Sequence, residues 1–151
     1  VVPIRTLHQV HLLPLRNGYI VDGRIAWWKV QSRRQAIVMA VIGELDASNS
    51  KQFEASIDQL VSSGEPFVID LADVDFMSSP AIRPFFKLVT ERVAARPWGL
   101  VVPSRLQALL RICDPNEALP VASCLADALR DVAMRDSGVV RLLPRMRSAI
   151  R

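Results

Sequence analysis

The stretch from Asp70 to Leu88 reads DLADVDFMSSPAIRPFFKL, and its sense decides how everything around it folds. Phe67, Val68, Ile69 and Leu71 form a short apolar strand leading into it. Asp70, Asp73 and Asp75 then read as a solvated acidic turn, and beyond the pair Ser78–Ser79 the apolar residues Ile82, Phe85, Phe86, Val89 and Val93 recur at helical spacing. A strand that hands two hydroxyls to a helix start places them where unpaired backbone N–H groups and the positive end of the helix dipole converge. An added anion is accommodated in such a place. Ser79 followed by Pro80 has the order of an N-cap and a proline at the first helical position. Pro84 breaks the scheme. Inside a helix capped at Ser79 it lacks a donor and crowds the preceding turn, so either that turn is distorted or regular helix begins only near Pro84.

Outward from this junction the alternation of strand and helix continues on both sides. Upstream, Ile25–Val30 with Trp27 and Trp28, the polar Gln31–Gln35 and the apolar run Ala36–Ile42 predict two strands joined by a turn. The second is so continuously apolar that both its faces should be covered. Gly43–Asn49 ends it, and Phe53, Ile57, Leu60 and Val61 mark the buried stripe of a helix whose cap is Asp46, Ser48 or Asn49. Gly64 and Pro66 close that helix. Downstream, Arg96–Pro97 stops the helix after the Ser pair and Trp98–Val102 is a short buried strand. Ser104 with Gln107 has capping-box spacing ahead of Leu106, Leu109, Leu110 and Cys113, and Asp114–Pro115 terminates that helix. Leu119–Ala122 makes a last strand, after which Ser123 caps a helix with Leu125, Ala128, Leu129 and Val132 inside and Gly138 as its stop. The fold expected is α/β: an initial hairpin, then mostly parallel strands in a mixed sheet packed against about four helices. Residues 1–23 show no persistent period and read as an irregular extension, 24–138 as the domain and 139–151 as a basic tail.

A chain of 151 residues suits one domain, which buries about 68–70% of the surface its unfolded form exposes. No apolar run approaches the roughly 20 residues a bilayer-spanning helix needs. With no secretory leader recognisable either, a cytoplasmic protein without a membrane span is expected. Cys113 and Cys124 lack CxxC spacing and are expected to be buried, reduced thiols. Between Glu44 and Asp75 eight acids face one base, Lys51, a net −7, so the rest of a chain of net charge +4 carries +11. That excess is densest at Arg141, Arg145, Arg147 and Arg151. No aromatic residue interleaves these arginines, and no direct nucleic-acid partner is expected. The enzyme signatures are missing: no GxGxxG after a strand, no GxxxxGK[ST], no GxSxG and no HExxH. His8 and His11 lie together in the N-terminal segment without a third ligand. No catalysis, no cofactor and no metal site is expected.

Three pieces together resemble a known family. Gly43-Glu44-Leu45-Asp46, Val68-Ile69-Asp70-Leu71 and Val74-Asp75-Phe76-Met77-Ser78-Ser79 look like successive landmarks of STAS domains, the family of the bacterial anti-sigma-factor antagonists. Leu100-Val101-Val102-Pro103-Ser104, the Leu-rich helix and Leu119-Pro120-Val121 follow in matching order, so the resemblance covers roughly residues 24 to 134. In that family the strand-to-helix turn usually reads Asp-Ser-Ser/Thr-Gly, and the residue after the Asp is phosphorylated by a partner that is both anti-sigma factor and kinase. Carried over, the Asp falls on Ser78, the phosphoacceptor on Ser79, the next hydroxyl on Pro80 and the Gly on Ala81. Only the acceptor is retained.

The resemblance implies a bacterial, non-enzymatic transcription regulator that binds an anti-sigma factor and frees a sigma factor, under control of Ser phosphorylation. Ser79, then Ser78, is the candidate phosphoacceptor. The candidate partner surface is Asp46, Asp73, Asp75, Met77, Ser78, Ser79, Pro80 and Arg83. A plain N-cap is the structural reading of Ser79. The alternatives are an accessory STAS subunit of a lipid-transport complex and a small nucleotide-binding protein, the latter without a phosphate-cradling Gly loop. The sequence specifies no oligomeric state.

Overall fold

The computed structural model describes residues 15–21, 24–33, 36–91 and 96–137. Six strands, β1 (Leu15–Val21), β2 (Arg24–Ser32), β3 (Ile37–Leu45), β4 (Phe67–Met77), β5 (Trp98–Val101) and β6 (Val121–Ala122), lie side by side in chain order. The first three pair antiparallel and the last four parallel. The helices are α1 (Ser50–Ser62), α2 (Ser79–Thr90), α3 (Gln107–Cys113), which follows a 3₁₀ turn at Ser104–Leu106, and α4 (Leu125–Asp136). Each parallel connection steps one strand further in the same direction, so right-handed crossovers put α1, α2 and α3 on one face of the sheet. Only α4, after the last strand, reaches the other.

The two faces differ accordingly. On the crossover side Phe53, Ile57 and Leu60 of α1, Ala81, Ile82, Phe85 and Leu88 of α2, and Leu106 and Leu110 close over Met39, Val41, Leu45, Ile69, Leu71, Val74 and Leu100. Aromatic rings run through this core, with centroids at 6.0 Å for Trp28–Phe53, 5.8 Å for Phe53–Phe85 and 6.3 Å for Phe85–Trp98. On the opposite face a smaller cluster joins Ala128 and Val132 of α4 to Ala36, Val38, Val68 and Val101. Gly99 permits that approach, since a Cβ there would lie 3.2 Å from Cγ2 of Val132.

The expected hairpin, the parallel strands and the four helices are all present. Several local expectations are corrected. The stretch 1–23, read as irregular, contains β1, which gains its order by pairing with β2 from Leu15↔Val30 to Val21↔Arg24 rather than from any period of its own. Strand β3 does not end at Gly43 but passes through it with φ of 103°, a conformation open to glycine, at a register shift in its pairing with β4. The supposed acidic turn is the second half of β4, which runs on to Met77.

At the helix ends, Asn49 is the N-cap of α1, Ser78 rather than Ser79 that of α2, and Cys124 rather than Ser123 that of α4. Ser104 opens a 3₁₀ turn instead of a capping box, with Gln107 Nε2 donating to Val102 O at 3.3 Å. Cys113 is half-buried and Cys124 exposed; both are free, and the N-cap position turns Cys124 toward solvent. Helix α2 continues through Pro84 because Ile82, Phe85 and Leu88 are held in the core on either side of it. Its buried stripe includes Leu88, leaving Phe86 and Val89 at the margin. His8, His11, Val93, Gly138 and the basic tail lie outside the described residues.

Candidate functional site

Parallel strands in an α/β sheet present their C-terminal ends, and the loops that leave them, at one edge of the molecule. Here β3 and β4 end together: Leu45 pairs with Met77, and the Ser78 N–H donates to Leu45 O at 2.9 Å. The β3–α1 loop and the β4–α2 junction are therefore neighbours. In the first, Asp46 Oδ1 accepts the Ser48 N–H at 2.9 Å and also the Ser48 hydroxyl. Asn49, 1% exposed, ties the loop to its own strand: its Oδ1 accepts the Asp46 N–H at 3.1 Å and its Nδ2 donates to Glu44 O at 2.9 Å. That amide serves the loop and leaves no side-chain cap on α1. The result is a braced loop beside the Ser pair.

At the junction itself, Ser78 has extended backbone, φ −83° and ψ 161°, and the Ala81 N–H donates to its carbonyl at 3.0 Å. The Ser78 hydroxyl is shielded and makes no hydrogen bond. Ser79, the first helical residue, is exposed together with Pro80 and Arg83. Ser79 does not cap the helix, so the structural reading of this hydroxyl fails. Pro80 brings no donor and the Ala81 N–H is committed to Ser78. An anion here would meet the helix dipole but fewer backbone donors than an ordinary helix start provides.

The expected partner residues divide into two groups. Asp46, Ser78, Ser79, Pro80 and Arg83 gather at the strand-end edge. Asp73 and Asp75 are exposed on β4, and Met77 is buried at 6% exposure, facing the core. The division follows from two register shifts of β4 against β3, between Asp70 and Asp73 and between Val74 and Phe76. Each inserts an extra residue, so Leu71, Val74 and Met77 point inward while Ala72–Asp73 and Asp75–Phe76 remain exposed. Asp70 is half-buried on this strand and accepts the Ala72 N–H at 2.9 Å. Burial raises its carboxyl above the ordinary value, against the lowering effect of that bond.

Arg105 belongs to this site although its sequence position carries no sign of it. Strand β5 pairs with β4 only from Phe67 to Asp70, which leaves the later β4 carbonyls on that side without a strand partner. From the 3₁₀ turn, Arg105 Nε donates to Val74 O at 2.8 Å and Nη2 donates to Ala72 O. Its targets are backbone atoms, which no side-chain pattern announces. Among the described residues no three His, Cys, Asp or Glu groups are placed to hold a metal ion.

A mixed sheet with three crossover helices on one face, a fourth on the other and an exposed serine at the β4–α2 junction is the arrangement of a STAS domain, and the STAS domain family model matches residues 28–102. The chain matches that family over just under half of its length. It is 30% identical over 103 residues to osmosensory protein A of Mycobacterium tuberculosis, an alignment that takes in 65% of this chain and spans only 65% of that relative's length. Among solved structures it is similar to an anti-sigma factor antagonist from Mycobacterium paratuberculosis, at 22% identity and a TM-score of 0.64, over 71% of this chain and 93% of the other. The anti-sigma factor antagonist SpoIIAA in its unphosphorylated form is also similar, at 19% identity and a TM-score of 0.50, over 69% of this chain and 94% of the other. No helix among the described residues is long and apolar enough to cross a membrane.

Proposed function

We propose that this domain is an anti-sigma-factor antagonist: a non-catalytic protein that docks the β4–α2 junction and the start of α2 onto an anti-sigma factor and so releases a sigma factor. The observation that carries the reading is the exposed Ser79 hydroxyl at the first position of α2, next to the braced Asp46 loop. Asp46, Ser78, Ser79, Pro80 and Arg83 make the contact. Ser79 is the residue at which phosphorylation, by the anti-sigma factor itself or another kinase, would end it. A phosphate brings about −1.5 to −2 charges to a helix N-terminus that stabilises them by roughly 0.3–1 kcal/mol, so the free domain tolerates the modification. The same charge in a docked interface must be desolvated beside a segment of net −7, and binding weakens unless the partner supplies Arg or Lys. Ser78, Pro80 and Ala81 replace the usual Asp, hydroxyl and Gly, so the kinase that reads this turn does not rely on them.

Calorimetric titration of each anti-sigma factor of the source organism against the wild type, Ser79→Ala and Ser79→Asp tests this. The expected result is binding of one of them by the wild type and Ser79→Ala, with an affinity at least tenfold weaker for a normally folded Ser79→Asp. Equal affinities would reduce Ser79 to a bystander. No binding by any would overturn the assignment.

A further inference from the structure

We propose that the outer surface of α2 and α3 is a docking site for an acidic amphipathic helix of a partner protein, seated on an apolar strip between two unpaired arginines. Helix α3 is apolar almost all round, with Gln107 and Arg111 its only strongly polar side chains. A helix of that kind is normally enclosed. Here the core takes Leu110, and Leu106 just ahead of the helix, while Ala108 is exposed and Ile112 is 79% exposed. One exposed isoleucine is ordinary on a protein surface. This one continues a strip.

The crossover helices run side by side in one direction, with α2 against both α1 and α3. In such an array the residue after a core position looks toward the next helix and the residue before it toward the previous one. Glu54, which follows the core residue Phe53, accordingly meets Lys87 of α2 at 3.3 Å. By the same helical turn Phe86, after Phe85, faces α3, and Leu109, before Leu110, faces α2. Both are partly buried against the core. With Ile112 they form an apolar slope from the seam between the helices to the crest of α3. Arg83 is exposed on the α2 side of this slope and Arg111 on the far side of α3, and neither has a carboxylate partner among the described residues. No acid occurs in α2 or from Ser104 to Cys113. Lys87 is taken by Glu54, and Arg105 by the carbonyls of β4. An apolar strip edged by free cations complements a helix whose apolar stripe is edged by Asp or Glu. A bilayer fits less well, because Phe86 and Leu109 are recessed in the seam, where side chains of a narrow element reach and a flat lipid surface does not. The site shares Arg83 with the Ser79 edge but does not depend on what docks there.

Titration of the isotope-labelled full chain with a synthetic helical peptide, a leucine stripe flanked by glutamates, tests the assignment through NMR shifts. A twin peptide with lysine for every glutamate, and vesicles of equal parts phosphatidylcholine and phosphatidylglycerol, are the comparisons. The expected shifts fall on residues 83–90 and 105–113, with the glutamate peptide bound at least tenfold more tightly than its twin. Ile112→Ser weakens that binding severalfold, as does Arg83→Glu combined with Arg111→Glu. These side chains are exposed, so the variants keep the wild-type melting temperature. Binding also weakens between about 0.01 M and 1 M salt, over which the screening length contracts from about 30 to about 3 Å. No binding of the glutamate peptide, shifts centred elsewhere, equal binding of the twin, or an affinity indifferent to the substitutions would overturn the proposal. So would the same residues responding to the vesicles and not to the peptide, which would give the surface to a membrane.

Discussion

Ser78 stands at the N-cap of α2 without doing what a capping serine does. The preference for serine there is a preference for a hydrogen bond to the N–H of the second or third helical residue. Pro80 has no N–H, and that of Ala81 goes to the Ser78 carbonyl. Removal of the hydroxyl therefore breaks nothing. Ser78→Ala is expected to shift stability by less than ~0.5 kcal/mol in urea denaturation, below the ~0.5–2 kcal/mol of an ordinary cap deletion; a full cap-sized loss would contradict the geometry. Asp70 makes the second residue-scale prediction. Burial raises its carboxyl pKa in the native state, so the folded protein binds that proton more tightly than the unfolded chain does. Stability from this group is then highest in acid and falls as pH rises from the ordinary carboxylate value through the raised one. Asp136, lowered by its bond to Arg96, contributes with the opposite slope. Asp70→Asn, whose amide oxygen still accepts the Ala72 N–H, should keep or raise the melting temperature at neutral pH and remove the Asp70 part of the decline. An unchanged pH profile would refute it.

Among the elements, β4 shows why part of the site was hidden. A half-buried strand is recognised by period two, yet the inward residues of this one, Leu71, Val74 and Met77, are three apart. The two inserted residues that cause this have no signature of their own, and three aspartates in six residues look like a turn. Gly43, at one of the shifts, was legible only as a breaker. Arg105 then does for β4 what a longer β5 would have done. Arg105→Ala leaves two carbonyls without their donor, and since water reaches this exposed side the cost should lie near 1 kcal/mol, the low end of the ~1–3 kcal/mol for a lost partner. Hydrogen exchange at residues 71–77 should quicken in the same variant while that of α4 does not. Uniform exchange across the sheet would remove Arg105 from this role.

At the scale of the whole molecule, Phe85 joins the parts, with its ring against Phe53 of α1 and Trp98 of β5. Truncation to Ala opens a cavity at a residue 1% exposed and should cost ~3–5 kcal/mol. For a domain near this size that lowers the melting temperature by about 6–20 °C; a loss below 1 kcal/mol would mean the core closes over the gap. The sequence by itself determined the alternation of strand and helix, the hairpin, the parallel strands and the neighbourhood of the Ser pair. These follow from local hydrophobic period and from the breakers Gly64, Pro66 and Pro115, which act within a few residues. Only the tertiary structure decided that β1 is a strand, that β4 runs to Met77, that helix passes through Pro84, and that Ser79 is exposed while Met77 is not. Each depends on partners distant in the chain: β2 for β1, β3 and Arg105 for β4, the packed Ile82, Phe85 and Leu88 for α2. Energy gained between segments outweighs local preference there, and no window of sequence contains both sides of such a contact.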